Sequence, residues 1–329
     1  MMTTRQQIAD VVVLSSPETN PWPGFGSLES SQCVVHTTNA DELKNALPGA
    51  PILVVTDFNT SHLQAAWPAA DSLEWIHATS AGVDVVLIPE VVESEVIVTN
   101  ARGFFDAAIA EYVAGLALTF AKDFHGTRDC QREHRWNHRD SERLTDKRML
   151  IVGAGSIGCE IARVIRCLGM EVEGIARTAR EDTQFSHVYG EDQLMERLPH
   201  ADYVVISAPL TDATRGLFDH GVFSAMKTSA RLINIGRGEI VRTQALVEAL
   251  ENEEIAGAAL DVFECEPLPS DHPLWKFPQV IVSPHMAGDF VGWREALSKQ
   301  FIDNFHRRQR GEDLFNVVDK SKGYVGMKS

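Results

Sequence analysis

A glycine-rich turn between two apolar runs is the feature that most limits what this chain can fold into. Residues 149–152 (MLIV) are wholly apolar, which is typical of a parallel strand that is buried on both faces. The turn GAGSIG follows directly, and after it come a helical stretch over 159–168 and a second apolar run over 171–176. A strand, a glycine turn that opens a helix, and a second strand form the dinucleotide-binding βαβ unit, so the sequence predicts a nucleotide site here.

The spacing of the glycines gives each of them a physical task. Gly153 allows the tight turn, Gly155 lets the backbone approach a pyrophosphate, and Gly158 lets the helix pack closely on the strand. The N-terminus of the helix offers N–H groups and the positive end of its dipole to the phosphates. We therefore expect cofactor contacts from Gly153, Gly155, Ser156, Ile157 and Gly158.

The end of the second strand indicates which dinucleotide is bound. NAD-binding units usually carry an acid about 20 residues after the glycines, where it binds the ribose hydroxyls. Here the chain offers Arg177, Thr178 and Arg180 instead of an acid. Because a guanidinium group binds phosphate through paired N–H groups, we expect these residues to favour NADP(H), with NAD(H) still possible. The alternative is that the two arginines simply lie on a surface loop.

Charge and composition exclude several classes of protein. The chain has 30 Lys and Arg residues against 46 Asp and Glu, and the net charge of −16 should repel nucleic acid and anionic membranes. No apolar run approaches the ~20 residues of a membrane span, and the first residues lack a signal-peptide pattern. Five cysteines without CxxC spacing predict reduced thiols in a cytoplasmic protein. His134 and His138 lack the further ligands that would complete a metal site, so we expect no metal.

The first hundred residues predict a second α/β layer. Short β-branched runs alternate there with helical segments, and a length of 329 residues favours two domains. Residues 78–84 (ATSAGVD) follow a strand, so their backbone could bind an anion, although a plain turn explains them equally well. Residues 100–103 resemble a crossover between domains. The Ala-rich segment 106–122 predicts a helix that is either central to the core or a dimer contact.

Apolar runs in the second half of the chain end in polar residues. Three of these runs cover residues 232–235, 256–260 and 280–282. They are followed by Arg237, Asp261 and His285, and Glu266 comes shortly after Asp261. Because the carboxyl ends of parallel strands meet at one edge of a sheet, we expect these side chains to converge. A cation for a carboxylate, an imidazole that donates a proton and a carboxylate that orients it are what the reduction of a 2-oxo acid needs.

Several ordered motifs resemble those of the D-isomer-specific 2-hydroxyacid dehydrogenase family over essentially the whole chain. They are ATSAGVD, NARG followed by AIAEYV, GAGSIG, APLTDATRGLF, NIGRG, GAALDVFECEPLP and SPHMAG. The resemblance implies an α/β protein of two Rossmann-like, doubly wound domains. A cofactor domain (residues 102–288) would be inserted into a discontinuous substrate domain (residues 1–101 and 289–329). It also implies a homodimeric NAD(P)-dependent reductase of the glyoxylate and hydroxypyruvate type.

The resemblance also implies roles for individual residues. Arg237 would bind the substrate carboxylate, His285 would donate the proton, and Glu266 would pair with His285. The backbone of the ATSAGVD turn would help to hold the carboxylate, through Ser80, Ala81 and Gly82. Asp261 would lie beside the nicotinamide. The other cofactor contacts that we expect are Ala208, Pro209, Thr214, Ile235, Gly236 and Gly288.

Two questions stay open at this point. Arg177 stands where NAD-using members of the family carry an acid, whereas the NADP-using glyoxylate and hydroxypyruvate reductases carry basic residues there. The same fold also serves nucleotide-sensing corepressors that retain the catalytic residues, so a binding protein is the alternative to an enzyme. Candidates for the pocket that accepts the substrate side chain are Phe58, Phe104, Phe105 and Trp293.

Overall fold

The computed structural model describes residues 8–56 and 60–325, and Phe58 lies outside these ranges. The chain divides into two compact units, one formed by Met1–Phe104 with Phe290–Ser329 and the other by Phe105–Asp289. Each unit has its own parallel sheet. The second unit is therefore inserted into the first, and the chain changes unit within three residues of the boundaries expected from the sequence.

The first unit contains a five-stranded parallel sheet in the order β2-β1-β3-β4-β5. Its strands are β1 (Val11–Leu14), β2 (Val34–Thr37), β3 (Ile52–Val55), β4 (Trp75–Ala78) and β5 (Ile97–Thr99). The helices between them are α1 (Gly26–Glu29), α2 (Ala40–Ala46), α3 (Thr60–Ala66) and α4 (Pro89–Glu93), with 3₁₀ turns at Pro17–Thr19 and Trp67–Ala69. Because the inner strands are covered on both faces, they are continuous apolar runs rather than alternating ones.

The helices of the second unit begin with α5 (Asp106–Lys122) and α6 (Phe124–Arg132). The others are α7 (Ser156–Arg166), α8 (Leu194–Arg197), α9 (His220–Ala225) and α10 (Thr243–Glu251), with 3₁₀ turns at Glu191–Gln193, Leu198–His200, Gly238–Ile240 and Pro273–Lys276. One face of α5, including Ile109, Ala110 and Val113, is buried in the same cluster as Ile161 and Ile165 of α7. The predicted Ala-rich helix therefore belongs to the core of this unit.

The sheet of the second unit has seven parallel strands in the order β12-β11-β10-β9-β6-β7-β8. They are β6 (Arg148–Val152), β7 (Glu171–Ala176), β8 (His187–Gly190), β9 (Tyr203–Ile206), β10 (Arg231–Asn234), β11 (Gly257–Leu260) and β12 (Val280–Val282). The strand order reverses between β6 and β9, and ligands of doubly wound sheets bind at the carboxyl ends of the strands at such a point. The glycine turn follows β6 directly.

The last helix, α11 (Trp293–Gln309), belongs to the first unit. Its fully buried Phe301 stacks on Trp75 of β4 with ring centroids 5.1 Å apart, and it lies 5.5 Å from Phe25. The two ends of the chain therefore build one shared hydrophobic core.

Candidate active site

Three adjacent parallel strands bring the predicted catalytic residues to one edge of the sheet. Asn234 at the end of β10 pairs with Leu260 of β11, which in turn pairs with Val282 of β12. Arg237 follows β10 after two residues, and Asp261 follows β11 at once. His285 follows β12 after two residues. The three strands thus end side by side, as the sequence predicts.

The imidazole of His285 is hydrogen-bonded to Glu266, with Nδ1 2.9 Å from Oε2. The other carboxylate oxygen of Glu266 accepts a hydrogen bond from the backbone N–H of Phe263 at 2.9 Å. Burial alone would raise the pKa of Glu266, but these two hydrogen bonds and the positive charges of His285 and Arg237 outweigh it and lower that pKa. Glu266 is therefore ionised at neutral pH, and its negative charge lies against the His285 ring.

A close backbone contact joins the loops that carry Arg237 and Glu266. A Cβ atom on Gly238 would lie 1.8 Å from the carbonyl carbon of Phe263 and 2.4 Å from the nitrogen of Glu264, so only glycine fits. Arg237 directly precedes this contact, and its Nη1 donates to the carbonyl of Gly236 at 2.8 Å. The contact explains how the charge of Arg237 comes to act on Glu266.

Asn234 is a residue of this site that the sequence reasoning missed. It is buried, its Nδ2 donates to the carbonyl of Arg237 at 3.1 Å, and its Oδ1 accepts from the N–H of Gly236 at 3.1 Å. These two bonds shape the loop in which Ile235 and Gly236 are also buried. A polar residue at the end of a buried strand, directly before the predicted site, was the available signal.

The glycine turn has the shape that a dinucleotide requires. Gly153 has a φ of +111°, and a Cβ there would lie 2.4 Å from the nitrogen of Ala208. A Cβ on Gly158 would lie 2.2 Å from the carbonyl oxygen of Gly153, whereas nothing lies within 4 Å of a Cβ on Gly155. Gly153 and Gly158 therefore close the turn, and Gly155 leaves space at the N-terminus of α7 that fits a pyrophosphate.

Two side chains that the sequence reasoning did not select support the same turn. Ser207 donates a hydrogen bond from its hydroxyl to the carbonyl of Gly153 at 2.8 Å. Asp106, in the first turn of α5, accepts a hydrogen bond from the hydroxyl of Ser156. Ile157, beside Ser156, is half-buried and packs against the core of this unit. The turn is thus built from α5, β9 and its own residues together.

The residues expected at the 2′-phosphate differ in their surroundings. Arg177 and Thr178 are exposed directly after β7. Arg180 instead donates a hydrogen bond to the carbonyl of Ala154 in the glycine turn, and its Nη2 lies 3.6 Å from Oδ2 of Asp182. Of the two arginines, Arg180 therefore supports the turn, and Arg177 lies on the surface at the end of the strand.

The remaining predicted cofactor contacts lie in the loops that follow β9, β11 and β12. Ala208 and Pro209 follow β9, and Thr214 closes the loop after them by donating to the carbonyl of Pro209 at 2.7 Å. Gly288 lies against the ring of Phe105, which a Cβ on the glycine would approach to 2.8 Å. Asp261 is buried, and its carboxylate accepts hydrogen bonds from the segment around His285. Whether these residues touch a cofactor stays a prediction.

The ATSAGVD turn lies in the first unit, after β4. Three of its carbonyl groups are hydrogen-bonded there: that of Ser80 to the N–H of Ala101 at 3.0 Å, that of Ala81 to Nδ2 of Asn100 at 2.5 Å, and that of Gly82 to the hydroxyl of Ser80 at 2.6 Å. This arrangement is compatible with anion binding through backbone N–H groups, which stays a prediction.

The described ranges, 8–56 and 60–325, hold neither a cluster of metal ligands nor a membrane-spanning helix. No group of three or more His, Cys, Asp or Glu side chains in them could hold a metal ion. None of the helices in the same ranges is both long and apolar enough to cross a membrane. All five cysteines lie in these ranges and have free thiols.

Comparison with known proteins decides the family. The sequence profile of the "D-isomer specific 2-hydroxyacid dehydrogenase, NAD binding domain" matches residues 114–287, more than half of the chain. The chain belongs to this family. The fold and the family expected from the sequence are thereby confirmed, and the protein is an NAD(P)-dependent 2-hydroxyacid dehydrogenase.

Three relatives show the range of this dehydrogenase family. A glyoxylate reductase of Thermofilum pendens is 34% identical over 260 residues, which are 77% of this chain and 76% of that protein. A D-3-phosphoglycerate dehydrogenase of Methanocaldococcus jannaschii is 29% identical over 282 residues, 85% of this chain and 53% of that protein. The structure of an NADPH-dependent glyoxylate/hydroxypyruvate reductase of Sinorhizobium meliloti, in complex with NADP and sulfate, matches with a TM-score of 0.83 and 26% identity, over 96% of this chain and all of that one.

The pairing of Glu266 with His285 predicts the pH dependence of reduction. Glu266→Gln keeps the shape of the side chain and removes its charge, so the protonated His285 ring should be lost at lower pH. We expect the alkaline limb of kcat/KM for reduction of a 2-oxo acid to move down by about one pH unit or more. The limb is measured with one 2-oxo acid across the pH range.

The neighbouring Glu264 offers a matched control. Its carboxylate accepts from the N–H of Thr243 at 3.2 Å, so Glu264→Gln should leave the limb in place. His285→Gln should remove most of the turnover and retain NADPH binding. A limb that stays unmoved in Glu266→Gln would show that this carboxylate does not act on His285 during reduction.

Proposed function

We propose that this dehydrogenase reduces a small 2-oxo acid, of the glyoxylate or hydroxypyruvate type, to the D-2-hydroxy acid and prefers NADPH to NADH. The proposal depends on the hydrogen bond between His285 and Glu266, at 2.9 Å, beside the charge of Arg237. It is supported by the relatives named as glyoxylate or hydroxypyruvate reductases.

These residues have different tasks in the proposed reaction. NADPH supplies the hydride to the carbonyl carbon. Arg237 binds the substrate carboxylate through its planar guanidinium and polarises the carbonyl group. His285 donates its proton to the carbonyl oxygen as negative charge develops there, while Glu266 holds the ring and stabilises its charged form. The backbone of Ser80, Ala81 and Gly82 is proposed to assist in binding the carboxylate.

A substrate panel is the direct test of this proposal. Initial rates with NADPH should be measured for glyoxylate, hydroxypyruvate, a bulkier 2-oxo acid and phosphohydroxypyruvate. The last compound is included because phosphoglycerate dehydrogenases are among the relatives. We expect the highest kcat/KM for glyoxylate or hydroxypyruvate. A preference for the phosphorylated or the bulkier acid would reject the proposed substrate class.

Arg237→Lys tests the proposed anchor for the substrate carboxylate. Lysine keeps the charge and loses the planar pair of N–H donors, and one charged hydrogen bond contributes about 1.5–3 kcal/mol. We therefore expect kcat/KM for the 2-oxo acid to fall about 10- to 100-fold, with the Kd for NADPH nearly unchanged. Steady-state kinetics and a fluorescence titration with NADPH measure the two quantities. A nearly normal kcat/KM would mean that Arg237 does not bind the carboxylate.

The two arginines after β7 should differ in their effect on cofactor choice. Arg177→Asp places an acid where NAD-using units carry one, so kcat/KM with NADPH should fall at least about tenfold more than with NADH. Arg180→Ala removes a hydrogen bond to the glycine turn, so both cofactors should bind more weakly by a similar factor. Equal or better use of NADH by the unmodified protein would contradict the proposed preference.

We propose a symmetric homodimer as the assembled form. The proposed contact includes α5, whose residues Ala107, Glu111 and Gly115 are exposed, and the segment after it, where Trp136 is 99% exposed and Phe124 is 54% exposed. Light scattering should give twice the chain mass of 36.4 kDa at micromolar concentration. Trp136→Ala should weaken the dimer, whereas Val291→Ala, at another fully exposed apolar residue, should not. A monomer at this concentration would reject the assignment.

A further inference from the structure

His285 has an unusual backbone conformation. Its φ is +53°, in the left-handed region that residues other than glycine rarely adopt. Its own N–H donates to the carbonyl of Asp261 at 2.8 Å. A residue keeps such a conformation when the surrounding structure holds it there, so the groups that hold this turn determine where the imidazole lies.

The carboxylate of Asp261 binds the turn on both sides of His285. Its Oδ1 accepts from the hydroxyl of Ser283 at 2.6 Å and from the N–H of Met286 at 2.9 Å. Its Oδ2 accepts from the N–H of Ala287 at 2.8 Å. With the bond from His285 itself, four hydrogen bonds from residues 283–287 end on one residue that is only 3% exposed.

We propose that Asp261 is a positioning residue. It holds the turn of residues 283–287 so that the His285 ring stays hydrogen-bonded to Glu266 and faces the carbonyl oxygen of the substrate. The proposal rests on the proposed function, in which His285 is the proton donor. It gives Asp261 a task different from the nicotinamide contact that the family resemblance implies. Its carboxylate acts on the backbone of the turn, whereas Glu266 acts on the ring.

Tyr112 extends this arrangement to helix α5. Burial raises the pKa of Tyr112, the charge of Asp261 raises it further, and a side-chain hydrogen bond with Ser283 opposes both. The phenol is therefore protonated at neutral pH and can donate to Ser283, whose own proton goes to Asp261. Tyr112 of the core helix α5 thus lies beside Ser283 of the turn.

The donors around Asp261 require a carboxylate rather than an amide. In Asp261→Asn one of the two carboxylate oxygens is replaced by an NH₂ group. This group cannot accept a hydrogen bond from the N–H of Ala287 or of Met286. At least one buried backbone N–H then loses its partner, and the turn can relax from the left-handed conformation at His285. The volume of the side chain stays the same, so the change isolates the hydrogen bonds.

Asp261→Asn should therefore lower kcat for reduction of glyoxylate by about 100-fold, the loss expected when a reacting group moves by about 1 Å. The Kd for NADPH should change less than about threefold. The alkaline limb should move down in pH, as in Glu266→Gln, and the double variant should show no further movement because both changes act through the same pair. Charged or titratable groups around the turn in this unit include Glu266, Arg237, Asp261, Tyr112 and Asp289, whose N–H donates to the carbonyl of Met286 at 2.9 Å.

Asp202→Asn is a matched control for general loss of stability. Asp202 lies before β9, where its carboxylate accepts from the N–H of Arg148 at 2.9 Å and from Lys227 at 3.0 Å. This variant should keep the pH limb and most of kcat. Equal losses in both aspartate variants, or an unmoved limb with a much higher Kd for NADPH in Asp261→Asn, would overturn the positioning role. The second outcome would make Asp261 a cofactor contact.

Two milder variants and an NMR titration test the positioning role even if Asp261→Asn does not fold or the enzyme shows no turnover. Ser283→Ala and Tyr112→Phe each remove one group from the chain of bonds and should lower kcat about three- to tenfold, even where Asp261→Asn does not fold. The NMR titration of the His285 ring, assigned by its absence in His285→Gln, needs no turnover. If glyoxylate and hydroxypyruvate are not reduced, the proposed function fails. If the His285 titration is the same in the unmodified protein and in Asp261→Asn, the positioning role fails.

Discussion

The common direction of β10, β11 and β12 fixes where chemistry can occur in this dehydrogenase. The three strands are hydrogen-bonded side by side and are parallel, so the chain leaves the sheet three times at the same edge. Arg237, Asp261 and His285 reach that edge within three residues of their strands. The contact between Gly238 and the backbone of Phe263 then sets the spacing between the loops. The site thus depends on backbone geometry before any side chain contributes.

Two carboxylates at this edge do different work because their surroundings differ. Glu266 is about a third exposed and meets the ring of His285, so its charge can act on a proton that moves during the reaction. Asp261 is buried and its oxygens are occupied by a serine hydroxyl and two backbone N–H groups. A buried charge is stable only with such partners, and here those partners are the turn itself. In the proposed reaction, Glu266 therefore acts on the proton and Asp261 on the geometry of the turn.

The sequence predicts the strands and the strand ends well because a parallel strand that is covered on both faces is a continuous apolar run. It predicts less where partners are distant in the chain. Arg180 is hydrogen-bonded to Ala154, and Asp261 to Ala287, and in each pair the partners are 26 residues apart in the sequence. No local sequence pattern predicts such a pair. The apolar surface of α5 predicted that the helix is buried, but it did not predict that α7 packs against it. The short strand β8, with the sequence HVYG, has no clear apolar pattern and was not expected.

The discontinuity of the first unit has a consequence for how the protein is made. Its core is complete only when Phe301 packs on Trp75 and Phe25, yet the whole of Phe105–Asp289 is synthesised in between. At about 5–20 residues per second, the ribosome needs roughly 10–40 seconds to span that gap. At the end of this interval the aromatic side chains of the first unit still lack Phe301, while the inserted unit has every strand of its own sheet. The inserted unit can therefore complete its sheet before the first unit receives the last helix of its core.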